Sequence, residues 1–183
     1  MRIISGIVRG RQLASFSGKD IRPTPDRVRE AIFSILTSQF GSFQGLKVLE
    51  LFAGSGAQAL EALSRGATSA ILVDSGNIAA KTITENIKRC QFANTAKFLE
   101  QDVFNSMDNL VSASPFDLIL LDPPYNQKLI PQVIEKIEYL NLLAENGIIC
   151  AESARDEELS DSGSLKLFAS RIYGSSRIHL YRL

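Results

Sequence analysis

The stretch Asp117-Leu118-Ile119-Leu120-Leu121-Asp122-Pro123-Pro124-Tyr125 decides the fold. It begins as a near-continuous apolar run, the mark of a strand buried on both faces of a parallel sheet. Two prolines end it, because proline has no N–H to donate to a ladder. Asp122 and Tyr125 therefore stand just beyond the carboxyl end of a central strand. Open α/β sheets bind their ligands at that edge.

Working outward, apolar strand patterns and amphipathic helix patterns alternate from residue 45 to 152. Strands are expected at 47–52, 69–74, 97–101 and 147–152, besides the opening stretch. Helices are expected from Ala59 to Arg65, through Ala79, Ile83, Ile87 and Cys90, over 104–111, and from Pro131 to Leu140. Gly66 follows the first of them as a helix stop. Such alternation gives a doubly wound, mostly parallel sheet. Residues 155–163 read as a polar surface loop. The runs 165–173 and 177–181, joined by Gly174-Ser175-Ser176, read as a C-terminal antiparallel hairpin.

Ahead of this core, 45–183, lies a leading helix over 24–40. Thr24 is its N-cap, Pro25 its first residue, and Asp26 sits in its first turn. Val28, Ala31, Ile32, Ile35 and Leu36 form its apolar stripe, and Gly41 ends it. Residues 1–20 read as a small β-hairpin extension, with runs 2–8 and 12–16 around a turn at Arg9-Gly10-Arg11. The whole chain, 1–183, is one domain of α/β class.

Composition narrows the function. The chain has 183 residues, 45% apolar and 22% charged, and no apolar run long enough to span a membrane. The opening residues are too short and polar-interrupted for a signal peptide. Cys90 and Cys150 have no metal spacing and read as reduced thiols of a cytoplasmic protein. His179 is the chain's one histidine, which argues against a His-based triad or a His-rich metal site. Net charge is zero but unevenly spread. Residues 1–30 carry seven basic and three acidic side chains; the remainder carries 13 basic and 17 acidic. A basic arm on an acidic body suits a local phosphate contact. Arg9 and Arg11 in the turn, and Arg22, Arg27 and Arg29 around the Thr24 helix start, are the candidates.

The glycine turn Gly54-Ser55-Gly56-Ala57-Gln58-Ala59 fits a nucleotide-binding fingerprint, and Asp74, 18 residues after Gly56, falls where a ribose-binding acid belongs. That alone also fits a nicotinamide dehydrogenase. Three features favour S-adenosylmethionine. Glu50 precedes the turn, where it disfavours a pyrophosphate and attracts a cationic amino-acid moiety. Asp102, at the end of the third strand, can accept the amine of adenine. Asp122-Pro123-Pro124-Tyr125 adds a site for a second planar amine, and no hydride-transfer acid is evident.

At this point the chain resembles the RsmD family of bacterial 16S ribosomal RNA guanine-N2 methyltransferases. The likeness runs through Arg2-Ile3-Ile4-Ser5-Gly6, Arg9-Gly10, Arg22-Pro23-Thr24, Asp26-Arg27-Val28-Arg29-Glu30-Ala31, Leu51-Phe52-Ala53-Gly54-Ser55-Gly56, Leu60-Glu61-Ala62-Leu63-Ser64-Arg65-Gly66-Ala67, Asp122-Pro123-Pro124-Tyr125 and Tyr173-Gly174. The resemblance implies a class I methyltransferase fold and S-adenosylmethionine as donor. It implies a guanine of 16S rRNA as acceptor, within a 30S subunit or an assembly intermediate, and neither metal nor membrane. Glu50, Phe52, Gly54, Gly56, Asp74 and Asp102 then bind cofactor. Asp122, the carbonyl of Pro123 and Tyr125 act at the amine. Arg9, Arg11, Arg22, Thr24 and Arg27 hold RNA. Gln58-Ala59 and Asp74 depart from the family's commoner residues without removing a required group. The competing readings are an amino-methyltransferase on DNA adenine or protein glutamine, and a non-catalytic RNA-binding assembly factor.

Overall fold

The structure is a computed structural model that describes residues 1–15, 26–125 and 127–183. The elements run α1 (Asp26–Phe40), β1 (Lys47–Leu51), α2 (Ala57–Ser64), β2 (Ser69–Asp74), α3 (Asn77–Cys90), β3 (Ala96–Glu100), α4 (Val103–Leu110), β4 (Phe116–Leu121), α5 (Leu129–Tyr139), β5 (Leu143–Ala154), β6 (Lys166–Tyr173) and β7 (Ser176–Arg182). Among the described residues the strands form one seven-stranded sheet in the order β3-β2-β1-β4-β5-β7-β6. The first five are mutually parallel; β7 runs antiparallel to β5 and to β6. This is the doubly wound, mostly parallel sheet with a C-terminal antiparallel pair that the alternation led one to expect, and the architecture that the family resemblance implied.

Period-two alternation sends successive strand residues to two cores. Val48 of β1, with Leu118 and Leu120 of β4, packs with α1, α2 and α3, through Ile32, Phe33, Leu60 and Ile83. Leu49, Leu51, Ile119 and Leu121 pack on the opposite face with Met107 of α4 and Val133 and Ile137 of α5. Both faces are covered, so β4 had to be apolar throughout.

The differences from the sequence reading have local causes. α5 begins at Leu129, two residues before Pro131, after Lys128 in a left-handed conformation (φ 51°). Pro131 thus falls in the first turn, where a missing N–H costs nothing. β5 starts at Leu143 rather than Gly147 because it pairs through a register shift: Phe116 faces Leu143, and Leu118 faces Ile148. β3 stops at Glu100, and Asp102 is the N-cap of α4, its carboxylate accepting the Asn105 N–H at 3.0 Å.

The expected hairpin over residues 2–8 and 12–16 is present in its described part as a short antiparallel pairing: the Arg2–Gln12 bridge, with the N–H groups of Ile3, Gly10 and Leu13 donating to the carbonyls of Arg11, Ile3 and Met1. Part of the backbone between Arg2 and Gln12 is claimed by α2. The Glu61 carboxylate accepts the N–H groups of Ile4 and Ser5 at 2.7 and 3.0 Å, and the Ile7 N–H donates to the Ser64 carbonyl at 2.8 Å. Gly6 permits this approach: a Cβ there would lie 1.8 Å from the Ser64 carbonyl oxygen. Side chains on a formed helix outcompete a short ladder for the same donors. Thr24 and Pro25, read as the start of α1, lie outside the described residues, as does Arg22. No helix among the described residues is long and apolar enough to cross a membrane.

Candidate active site

Strand register assembles the site. Val73, Leu51, Leu121 and Ala151 form one transverse row across β2, β1, β4 and β5. The next row, at the carboxyl edge, holds Asp74, Phe52, Asp122 and Glu152, following directly in sequence. By alternation Asp74 and Glu152 take the face of α1, α2 and α3, and Glu50 takes that face one step further in, level with Leu72 and Leu120, while Phe52, past the strand end, packs on the opposite face. At a strand spacing of about 4.8 Å, Asp122 and Glu152 are neighbours, and Asp74 lies about 10 Å from Asp122. Four carboxylates remote in sequence are thus gathered at the carboxyl end of the sheet.

The turn after β1 is held open by its backbone. Phe52, Gly54 and Gly56 all have positive φ (59°, 55° and 73°). A Cβ on Gly56 would come within 2.6 Å of Leu72 Cδ2, so any other residue there would both strain the left-handed backbone and displace Leu72. Asp74 secures the turn from the neighbouring strand. One carboxylate oxygen accepts the Gly54 N–H at 2.8 Å, and the other accepts the Gly76 N–H at 2.8 Å. Each oxygen keeps a further lone pair for a ribose hydroxyl.

Glu50 is buried, 4% exposed, and accepts the Ala59 N–H at 2.9 Å. Burial pushes its carboxyl up to about 8, against the opposing pull of the Ala59 and Gln58 amides and the Arg29 charge. A cation docked there favours the ionised form. A buried acid, an acid with two oxygens at the strand edge and a glycine turn between them fit the ammonium, the ribose and the chain of S-adenosylmethionine. Asp102 is exposed at the start of α4 and engaged as its cap.

On the other half of the edge, Pro123 is buried and Tyr125 is exposed. The Tyr125 hydroxyl donates to Glu152 Oε1 at 3.1 Å and lies 3.1 Å from Ser176 Oγ on β7. Burial and the nearby carboxylates of Glu152 and Asp122 push the phenol up to about 12, so it stays protonated. Pro123, Tyr125, Glu152 and Ser153 line a shallow surface crevice. His179, wholly buried behind it with Nε2 2.9 Å from Ser153 Oγ, is held down to about 4 by burial and is neutral.

The arginines diverge. Arg9 and Arg11 are exposed and line one open concavity with Ile7 and with Arg89 of α3. Arg27 is exposed on α1, apart from the turn. Arg29 is wholly buried. Sequence reasoning missed Glu152, because β7 covers it only through a long-range antiparallel pairing, and Arg89, which reads as a helix-surface residue. It also missed Asn86. That buried amide accepts the Ala14 N–H at 2.6 Å and donates to the carbonyls of Ala14 and Ser55, at 3.1 and 2.9 Å. Among the described residues no three His, Cys, Asp or Glu side chains gather as a metal would need.

The family described as "Conserved hypothetical protein 95" matches residues 1–182. The Escherichia coli K12 "Ribosomal RNA small subunit methyltransferase D" is 32% identical, over all of this chain and 89% of its own length. The Haemophilus influenzae protein of that name is 29% identical, over 100% of this chain and 93% of its own. Among solved structures, a hypothetical protein from a Thermus species superposes with a TM-score of 0.85 at 27% identity, covering 100% of this chain and 99% of the other. With a glycine turn, an acid at each flanking strand end and an Asp-Pro-Pro-Tyr edge in register, and the likeness running end to end, the chain belongs to the RsmD family of ribosomal RNA methyltransferases.

Proposed function

We propose that this protein transfers a methyl group from S-adenosylmethionine to the exocyclic N2 amine of a guanine in small-subunit ribosomal RNA, in the cytoplasm, on a 30S subunit or an assembly intermediate. The observation that carries this reading is the transverse row: Asp74 beside the glycine turn, Asp122 two strands away, Glu152 next to it, along one edge. The two small-subunit relatives are named for that class of substrate.

When bound, S-adenosylmethionine supplies an electrophilic sulfonium methyl and leaves as the neutral thioether. Glu50 takes its ammonium, Asp74 its ribose hydroxyls, and the glycine turn, with Phe52, the chain between. Asp102, at the mouth of α4, is the candidate for the adenine amine. The guanine amine is a poor nucleophile because its lone pair is delocalised into the ring. Asp122 accepts one N2–H and the Pro123 carbonyl the other, which turns the lone pair toward the methyl carbon and stabilises the positive charge that grows on nitrogen. Once N2 has taken the methyl group, Asp122 would receive the proton that the nitrogen sheds. Tyr125 stacks on the extruded base. Arg9, Arg11 and Arg27 contact phosphates, with Arg22 and the Thr24 helix start as further candidates.

The reading is tested by incubating the protein with methyl-labelled S-adenosylmethionine and 30S particles, free rRNA or duplex DNA, then digesting to nucleosides. Label is expected on N2 of a 16S rRNA guanine. Label on DNA adenine, or RNA binding without any transfer, would sink it.

A further inference from the structure

Arg29 is the largest fully buried side chain among the described residues. Its Nη2 donates to the Arg2 carbonyl and to Asp26 Oδ1, the latter at 3.1 Å. Its Nε and Nη1 have no hydrogen-bond partner among the described residues. A guanidinium out of water with unsatisfied donors is costly, by several kcal/mol for an unpaired buried charge. Such a group calls for an anion that comes and goes. Asp26 answers only one corner of the fork and is itself part-exposed.

Position says which anion. Arg29 lies one turn before Ile32 and Phe33, the residues by which α1 packs on the glycine-turn face of the sheet. Glu50, on that face, feels the Arg29 charge. Arg29 has no exposed surface, so an anion meets it only by displacing what covers it. A phosphate fixed in an RNA backbone is too bulky to enter there. A small zwitterion bound at Glu50 is not, and its carboxylate and its ammonium are carried on one carbon.

We infer that Arg29 is the carboxylate-binding residue for the amino-acid end of the cofactor, with Nε and Nη1 as the donors and Glu50 taking the ammonium. Arg29 and Glu50 form a matched pair of opposite sign for a ligand carrying both charged groups on one carbon. The planar fork suits a carboxylate in a bidentate pose, which a lysine cannot reproduce. Sequence alone grouped Arg29 with Arg22 and Arg27 as a surface anion site; burial separates it from Arg27. This inference rests on the cofactor assignment above and adds to it the residue that reads the carboxylate.

The test compares two ligands that differ only in that group: S-adenosylhomocysteine and its decarboxylated analogue, measured by calorimetry on wild type, Arg29→Met and Arg29→Lys. Wild type is expected to prefer S-adenosylhomocysteine by on the order of tenfold to a hundredfold, the range for hydrogen bonds to a charged group. Arg29→Met should erase most of that preference while keeping its affinity for the decarboxylated analogue, and Arg29→Lys should keep part of it. A purely structural Arg29 would weaken both ligands alike, and that result overturns the inference. So does a wild type with no preference, a measurement that stands even where Arg29→Met fails to fold. Failure of wild type to bind either ligand overturns the cofactor reading itself.

Discussion

The two halves of the carboxyl edge are built differently. On the half with the glycine turn, every carboxylate is fixed by backbone amides: Glu50 by Ala59, Asp74 by Gly54 and Gly76, Asp102 by Asn105. On the acceptor half, Tyr125 is tethered by side-chain hydroxyl contacts to Glu152 and Ser176, 27 and 51 residues away. Amide-held groups cannot move without unfolding a turn or a helix start. Side-chain tethers release by a rotamer change. One half is therefore preset for a constant ligand, while the other can open for a base that must be drawn out of an RNA helix.

The largest effect should separate the halves completely. Asp122→Ala is expected to cut methyl transfer by about a hundredfold or more, the scale of losing one aligned charge-stabilising group. Its affinity for S-adenosylhomocysteine should stay near wild type. Turnover at an undiminished rate would remove Asp122 from the mechanism.

Next comes Asp74→Ala, which deletes a ribose acceptor and both amide anchors of the turn. S-adenosylhomocysteine binding should weaken by on the order of tenfold or more, as hydrogen bonds to a charged group are lost. RNA affinity should be unaffected. Equal losses of both ligands would erase the contrast between the halves.

Glu50 sharpens the comparison through pH. Its folded carboxyl titrates near 8, above the 4.5 of an unperturbed group. Between those values the folded protein holds a proton that the unfolded chain releases. Its contribution to stability is therefore largest below pH 4.5, falls as pH rises, and levels off above about 8. An ammonium docked on Glu50 favours the ionised form, so ligand binding at pH 7 should expel a proton. Calorimetry of S-adenosylhomocysteine binding in buffers of different ionisation enthalpy reads that proton, and Glu50→Gln should abolish it.

The basic arm gives a smaller, graded effect. Arg9→Ala with Arg11→Ala should weaken RNA binding and flatten its salt dependence by a slope of about 0.7 to 0.9 for each lost phosphate contact. An unchanged slope would make the arm a merely solvated surface. The smallest effect is expected from Tyr125→Phe, which keeps the ring and cuts only the tethers: a few-fold change in rate, with cofactor affinity unmoved.

The sequence was most informative where one residue's neighbours along the chain decide its fate. The apolar run into Asp122-Pro123-Pro124 could only end a central strand, and the glycine turn could only follow β1. Chain-local patterns could not reveal who shares an edge. Glu152 looks like the polar end of a strand until β7 folds over β5 and sets Ser176 beside Tyr125. Arg29 looks like a helix-surface residue until Arg2 crosses it. The N-terminal hairpin pairs over a shorter stretch than the sequence suggests for the same reason, since the Glu61 carboxylate that captures the amides of Ile4 and Ser5 is more than fifty residues away.

Asn86 gives the molecule a property of its own. One amide group grips Ala14 of the arm and Ser55 of the glycine turn at once. The arm's far side is clamped to Ser64, the end of the helix that the same turn begins. Arm and turn are therefore joined twice, by a side chain and by a strut of about 12 Å. Whatever stiffens one of them stiffens the other, so arm and turn respond to a ligand on either as a single elastic body.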